Sequence, residues 1–203
     1  MYRLGILGGT FDPPHYAHLI LAQYACEELS LSKVMFVPAG APPHKTHTRT
    51  PVEHRLAMLH LAIADNVYFE LSRVDVDRPG PHYTIDTVRI LQAQYPEATL
   101  YLILGEDMYR DLPNWHRPQE LVANGKLTIA VTRRPGPNYT DLHLDMHKGV
   151  IPNLEKHAVL LAAPLVEFSS TDIVERIKRR QSVRYMVPDD VLKYIFQHNL
   201  YGE

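Results

Sequence analysis

The sequence predicts an α/β protein with a doubly wound parallel sheet, and three observations carry that reading. Apolar runs of four to six residues alternate with segments of helical period over most of the 203-residue chain. The first apolar run, Leu4-Gly5-Ile6-Leu7, ends in Gly8-Gly9 and leads within a few residues into a helical pattern. After Pro164 the alternation stops and two helical patterns close the chain. Strand–helix alternation implies parallel strands with helices on both faces, and ligands of such sheets bind beyond the carboxyl ends of the strands.

Each element follows from its own pattern. A first strand is expected at Arg3–Leu7 and a first helix at His15–Leu29, burying Leu19, Ala22, Cys26 and Leu29 at three- and four-residue spacing. The second strand, Lys33–Val37, runs into Pro38–Thr50, which is too rich in proline and polar residues for a regular element and reads as a long loop on the ligand side. Thr50-Pro51-Val52-Glu53 has the form of a capping box with proline at the first helical position, opening a helix over Pro51–Ala64. A strand at Val67–Leu71, a helix at Thr84–Tyr95, a strand at Thr99–Leu104, a helix at Pro118–Ala123 and a strand at Leu127–Val131 continue the alternation. Arg133–Asn153 is irregular, with one short helix expected at Asp141–His147, and Ala158–Leu161 is the sixth strand. Ser169-Ser170-Thr171-Asp172 caps a helix running to about Arg180, and the last helix spans Pro188 to His198. The expected whole is a single domain: a Rossmann-like α/β nucleotide-binding core over 1–163 and a small C-terminal helical subdomain over 164–203.

Composition narrows the function classes. The chain is 45% hydrophobic and 22% charged with a mean hydropathy of −0.21, the balance of an ordinary globular protein. A net charge of −2 and a pI near 6.6 argue against broad binding to nucleic acid or anionic membranes, so phosphate recognition must be local. A lone Cys26 excludes an internal disulfide framework and fits a reducing cytoplasm. Neither a secretory pattern nor an apolar run of membrane-spanning length is seen, so a cytoplasmic protein is expected.

The chemistry concentrates in Gly8-Gly9-Thr10-Phe11-Asp12-Pro13-Pro14-His15-Tyr16-Ala17-His18. Glycines after a strand are often only a tight turn, and a pair of surface histidines is common in a chain holding 12. Here both occur together. His15 and His18, three apart in a first helical turn, share a face at the positive end of the helix dipole, where backbone N–H groups also converge. That is a device for holding a polyphosphate. His143 and His147 have metal-ligand spacing, but without an H-E-x-x-H pattern an exposed helix face is the expected reading. Neither a P-loop nor a G-x-S-x-G motif is found.

The glycine–histidine segment resembles the H-x-G-H nucleotidyltransferases, with Ala17 where that family usually has glycine. Pro42-Pro43-His44-Lys45, Gly80-Pro81-His82-Tyr83-Thr84-Ile85-Asp86-Thr87, Gly105-Glu106-Asp107-Met108, Leu112-Pro113-Asn114-Trp115, Arg134-Pro135-Gly136, Ser169-Ser170-Thr171 and Arg184-Tyr185-Met186-Val187-Pro188 narrow the resemblance to the nicotinate-nucleotide adenylyltransferases, in order along the whole chain.

The resemblance implies an enzyme that joins ATP to nicotinic acid mononucleotide, with His15, His18 and Lys45 catalytic. It places ATP on Gly8, Gly9, Thr10, Phe11, His15, His18, Gly105, Asp107, Arg134, Ser169, Ser170, Thr171 and Arg176. It places the mononucleotide on Asp12, His44, Lys45, Tyr83, Thr84, Leu112 and Trp115, the tryptophan stacking on the pyridine ring. Mg²⁺ is expected to arrive with ATP rather than on protein ligands. Val174 stands where the family has an arginine for the far phosphates, and Glu106 stands where it has a small residue and is expected to point outward. The residues themselves leave other acceptors open (nicotinamide mononucleotide or phosphopantetheine), as well as a non-catalytic nucleotide-binding regulator and homo-oligomerisation.

Overall fold

The computed structural model describes residues 2–40, 50–123, 125–132, 142–164 and 166–202. In chain order these form β1 (Tyr2–Gly9), α1 (Tyr16–Glu28), β2 (Lys33–Pro38), α2 (Val52–Ile63), β3 (Phe69–Leu71), α3 (Thr84–Gln94), β4 (Ala98–Gly105), α4 (Glu106–Asp111), β5 (Leu127–Thr132), β6 (Ala158–Leu161), α5 (Ser170–Lys178) and α6 (Asp189–Gln197).

The six strands lie in the order β3-β2-β1-β4-β5-β6. Order therefore reverses at β1, the point beyond which ligands of doubly wound sheets bind. The pairs β1–β4, β4–β5 and β5–β6 are parallel, with Leu4 opposite Leu100, Leu102 opposite Ile129 and Val131 opposite Leu160. Central strands of such a sheet are covered on both faces, so they bury consecutive rather than alternate residues. Leu4–Leu7 of β1 and Leu102–Leu104 of β4 are buried without interruption.

Residues group into two compact units, Met1–Leu7 with Leu21–Met35 and Tyr83–Leu165, and Gly8–Ile20 with Phe36–His82 and Val166–Glu203. In the first, Leu4, Ile6, Ile85, Val88, Leu91, Leu100 and Ile129 form the interior. In the second, α2 packs on α6 around Met58, Ile173, Val183, Val187, Val191 and Ile195.

Several expectations need correction. The residues from Pro118 form only a 3₁₀ turn, Pro118–Glu120, preceded by Arg117 in the left-handed region (φ 53°). The capping box at Thr50 does not form. Pro51 is itself the N-cap, with extended ψ of 147°, which moves Thr50 one residue outside the helix; its side chain hydrogen-bonds Tyr201 instead. Residues 142–147 make turns rather than a helix. The six-residue α4 went unexpected, being too short to show a period.

Candidate active site

The glycine turn is built on Phe11. β1 ends at Gly9, where a Cβ would stand 2.9 Å from the Phe11 ring, so only glycine lets that ring fold back under the strand end. Phe11 adopts φ 51° and is 1% exposed, its ring 5.8 Å from Phe36 and edge-on to His18 at 4.9 Å. Its side chain is thus interior packing, leaving only its backbone for a ligand. At Gly8 the direction a Cβ would take is open for 4 Å. Packing does not require that glycine, and the open side admits a ligand close to the backbone.

The two histidines then meet as one unit. The His15 N–H donates to His18 Nδ1 at 3.3 Å, and the rings stack at 3.7 Å with planes 25° apart. Phe168 covers His15 edge-on at 5.4 Å. Burial lowers the His15 pKa to about 4 against the opposing pull of Asp172, and burial followed by His15 itself holds His18 well below its ordinary value. Both rings are neutral at pH 7. Because His18 Nδ1 is an acceptor, its proton sits on Nε2, assigned from this hydrogen bond. His18 therefore offers an uncharged N–H donor.

Arg55, which the sequence reading missed, lies beneath this turn. It is fully buried in α2, and its Nη1 donates to the carbonyls of Thr10 (2.8 Å) and Ala39 (2.9 Å), its Nη2 to that of Gly40 (3.4 Å). The signal was present: position 55 falls on the apolar stripe of α2 with Leu56, Leu59 and Ile63, where a cation needs a reason. Asp12, 8% exposed, accepts a 2.6 Å hydrogen bond from the Tyr201 hydroxyl. Burial, then the bond to Asp12, pushes the Tyr201 hydroxyl pKa up.

Ser169 and Ser170 are engaged within the protein. Ser169 forms a reciprocal capping box with Asp172, its Oγ accepting from the Asp172 N–H at 3.2 Å and donating to the carboxylate at 2.6 Å. Ser170 Oγ donates to the Pro13 carbonyl at 2.8 Å, tying α5 to the turn before α1. Thr171 is exposed. Val174 is fully buried and serves the interior, while Arg176 gives Nε and Nη2 to the Ser182 carbonyl at 3.0 and 2.9 Å.

The first unit carries the remaining expected residues. α3 opens at Thr84 with Tyr83 as N-cap and no side-chain cap bond, leaving its first-turn N–H groups untouched by a cap. The Tyr83 ring stacks on His116 at 4.0 Å. Trp115 is half-buried, its backbone N–H on the Leu112 carbonyl at 3.1 Å, whereas the Leu112 side chain is wholly buried and cannot itself line a site. Gly105 ends β4 with open space where a Cβ would be, and Asp107 is exposed in the first turn of α4. Glu106, expected to point outward, is 3% exposed: Arg110, one turn on, holds its Oε1 at 2.6 Å and makes the burial affordable. His147, expected on an exposed helix, is also buried, its ring Nε2 2.8 Å from the Tyr109 carbonyl. His44, Lys45, Arg133 and Arg134 lie outside the described residues.

A glycine turn at the reversal of a doubly wound sheet, with two uncharged histidines at the following helix, defines a nucleotide-handling protein of the nucleotidyltransferase class. Residues 6–176 match the cytidylyltransferase-like family, and the chain belongs to that family. Within it, the chain groups with nicotinate-nucleotide adenylyltransferases. A protein of Thermomicrobium roseum named "probable nicotinate-nucleotide adenylyltransferase" is 44% identical over 202 residues, covering 99% of this chain and 92% of the relative. A protein of Oceanobacillus iheyensis with the same name is 38% identical over 203 residues, covering 100% and 98%. Among solved structures, the nicotinic acid mononucleotide adenylyltransferase of Plasmodium falciparum complexed with NaAD shares the fold with a TM-score of 0.79 at 20% identity, over 99% of this chain and 98% of that one.

Proposed function

We propose that the protein transfers the adenylyl group of ATP to nicotinic acid mononucleotide, giving nicotinic acid adenine dinucleotide and pyrophosphate. The observation that carries this reading is the uncharged His15–His18 pair at the glycine turn, with the His18 proton on Nε2. Named relatives at 38–44% identity over nearly the whole chain support the choice of acceptor.

An oxygen of the mononucleotide's phosphate attacks the α-phosphorus of ATP in line. The bond from that phosphorus to the bridging oxygen breaks, and pyrophosphate leaves with the electron pair. The attacking oxygen is already anionic near neutral pH, so the reaction needs no general base and no covalent intermediate. Catalysis reduces to positioning and to donors placed where charge grows. His18 Nε2 donates to the α-phosphate, His15 serves the departing side, and Thr10 and Lys45 assist. The Thr84 and Ile85 N–H groups at the start of α3 receive the pyridine carboxylate and Trp115 stacks on the ring. Mg²⁺ enters bound to ATP, held by phosphate and water. We place the protein in the cytoplasm, a reducing compartment that suits its lone cysteine, Cys26.

The test is pyrophosphate release from ATP with nicotinic acid mononucleotide, nicotinamide mononucleotide and phosphopantetheine in parallel. Fastest turnover on the first supports the proposal. Preference for another acceptor reassigns the substrate, and ATP binding without turnover on any of them replaces the enzyme with a nucleotide-binding regulator.

A further inference from the structure

The peptide groups of the glycine turn are held from behind. The Gly9 carbonyl accepts from the Ala39 N–H at 2.9 Å, and the Thr10 carbonyl accepts from Arg55 Nη1 at 2.8 Å. Among the described residues, cis peptide bonds occur only at Asp12–Pro13 and Gly80–Pro81, so the Gly9–Thr10 and Thr10–Phe11 peptides are trans. In a trans peptide the C=O and N–H point in opposite directions. Pinning these two carbonyls therefore turns the N–H groups of Thr10 and Phe11 to the opposite side of the turn. Among the described residues neither N–H is given to a backbone carbonyl.

The same guanidinium also fixes the exit of β2. It takes the Ala39 and Gly40 carbonyls while the Ala39 N–H is holding Gly9. Gly40 is wedged in place: a Cβ there would stand 2.7 Å from the Asp75 carbonyl oxygen and 2.8 Å from His82 Cε1. One side chain thus grips two successive strand ends through three carbonyls. The fork geometry is what lysine lacks, because an ammonium is a single point with no plane to span them. Asp12 supplies the charge opposing Arg55.

We propose that Arg55 is a positioning residue for adenylyl transfer: by gripping the carbonyls of Thr10, Ala39 and Gly40 it aims the N–H groups of Thr10 and Phe11 at the triphosphate. Arg55 itself touches no substrate. Two backbone donors held rigidly before the substrate arrives act as an oxyanion hole acts, without reorganising as charge develops. The proposal rests on the adenylyl-transfer reading.

The first test compares Arg55→Lys with Met58→Ala, a cavity variant elsewhere in α2 that perturbs the interior and leaves the three carbonyl bonds of Arg55 in place. Arg55→Lys is expected to lower kcat by at least about 10-fold, the low side of losing aligned backbone donors, with KM for the mononucleotide within about 2-fold. Met58→Ala is expected to lower Tm and leave kcat near wild type. Full kcat in Arg55→Lys, or an equal kcat loss in Met58→Ala, overturns the proposal. The second test needs no variant. In the ¹⁵N-labelled wild-type protein, the Thr10 and Phe11 amide protons should move downfield on titration with ATP, and resonances that stay still overturn it. If the wild type releases no pyrophosphate with ATP and nicotinic acid mononucleotide, the functional reading falls, while the amide titration still decides where the turn's N–H groups point.

Discussion

The backbone N–H of His15 is hydrogen-bonded to the ring Nδ1 of His18 at 3.3 Å, and the two imidazoles stack at 3.7 Å. A helix's first turn thereby sets the tautomer of its own second histidine. Burial is the first cause that keeps both neutral; His15 adds to it at His18, and Asp172 opposes it at His15.

Stability should fall on acidification below the ordinary histidine pKa. His15 titrates near 6.5 when unfolded and near 4 when folded, so between those values only the unfolded chain binds the proton. The stabilisation is complete above pH 6.5 and is lost as pH drops toward 4, at about 1.4 kcal/mol per pH unit for His15. Urea denaturation at pH 7 and at pH 5 should show the loss, and His15→Asn should lessen it by His15's share. An unchanged slope in that variant would place the sensitivity elsewhere.

His18→Ala removes the Nε2 donor. Turnover should drop about 10²–10³-fold, the scale of losing one preorganised donor at a reacting oxyanion. Steady-state kinetics with circular dichroism as a fold control decide this. A variant retaining near-full kcat rules the role out.

Tyr201→Phe keeps the ring and removes the hydroxyl that serves Asp12. Hydrogen bonds to charged groups contribute about 1.5–3 kcal/mol, so the variant should lose stability on that scale. Because Asp12 shares the turn with Thr10 and Phe11, kcat should fall as well. Chemical denaturation and kinetics on the same preparation test both halves, and loss of stability with kcat intact would make the bond purely structural.

Ser169→Ala should cost about 1 kcal/mol, the usual worth of an N-cap. Ser169, through its hydroxyl and its backbone N–H, holds the Asp172 carboxyl below its ordinary value. A depressed carboxyl stabilises above the ordinary carboxylate pKa and stops doing so as pH falls through the lowered one. The gap between wild type and variant should therefore narrow below about pH 4. An undiminished gap there would remove Asp172 from the explanation.

Trp115→Ala should raise KM for the mononucleotide and leave KM for ATP near wild type. The reverse pattern would contradict ring stacking.

How much of this was legible in sequence depended on scale. Strand positions were readable because four buried residues in a row, as in Leu4–Leu7, mark a strand covered on both faces. The paired histidines were readable because three-residue spacing on a helix fixes a shared face. Arg55 was not, since nothing local says that its partners are the carbonyls of Thr10, Ala39 and Gly40. Glu106 failed for a related reason: its pairing with Arg110 was available at i, i+4, but its burial depended on tertiary packing. Thr50 failed by one residue, because the cap signature does not reveal that Pro51 would take the capping place.

The bond between Asp12 and Tyr201 spans 189 residues of sequence. At synthesis rates of about 5–20 residues per second, Tyr201 is added roughly 10–40 s after Asp12. For nearly all of that interval the nascent chain holds the complete glycine–histidine segment, while the hydroxyl that Asp12 binds in the folded protein has yet to be made. This motif is thus finished long after it is made, and a ribosome paused before α6 would carry it whole without the tyrosine whose hydroxyl bonds Asp12.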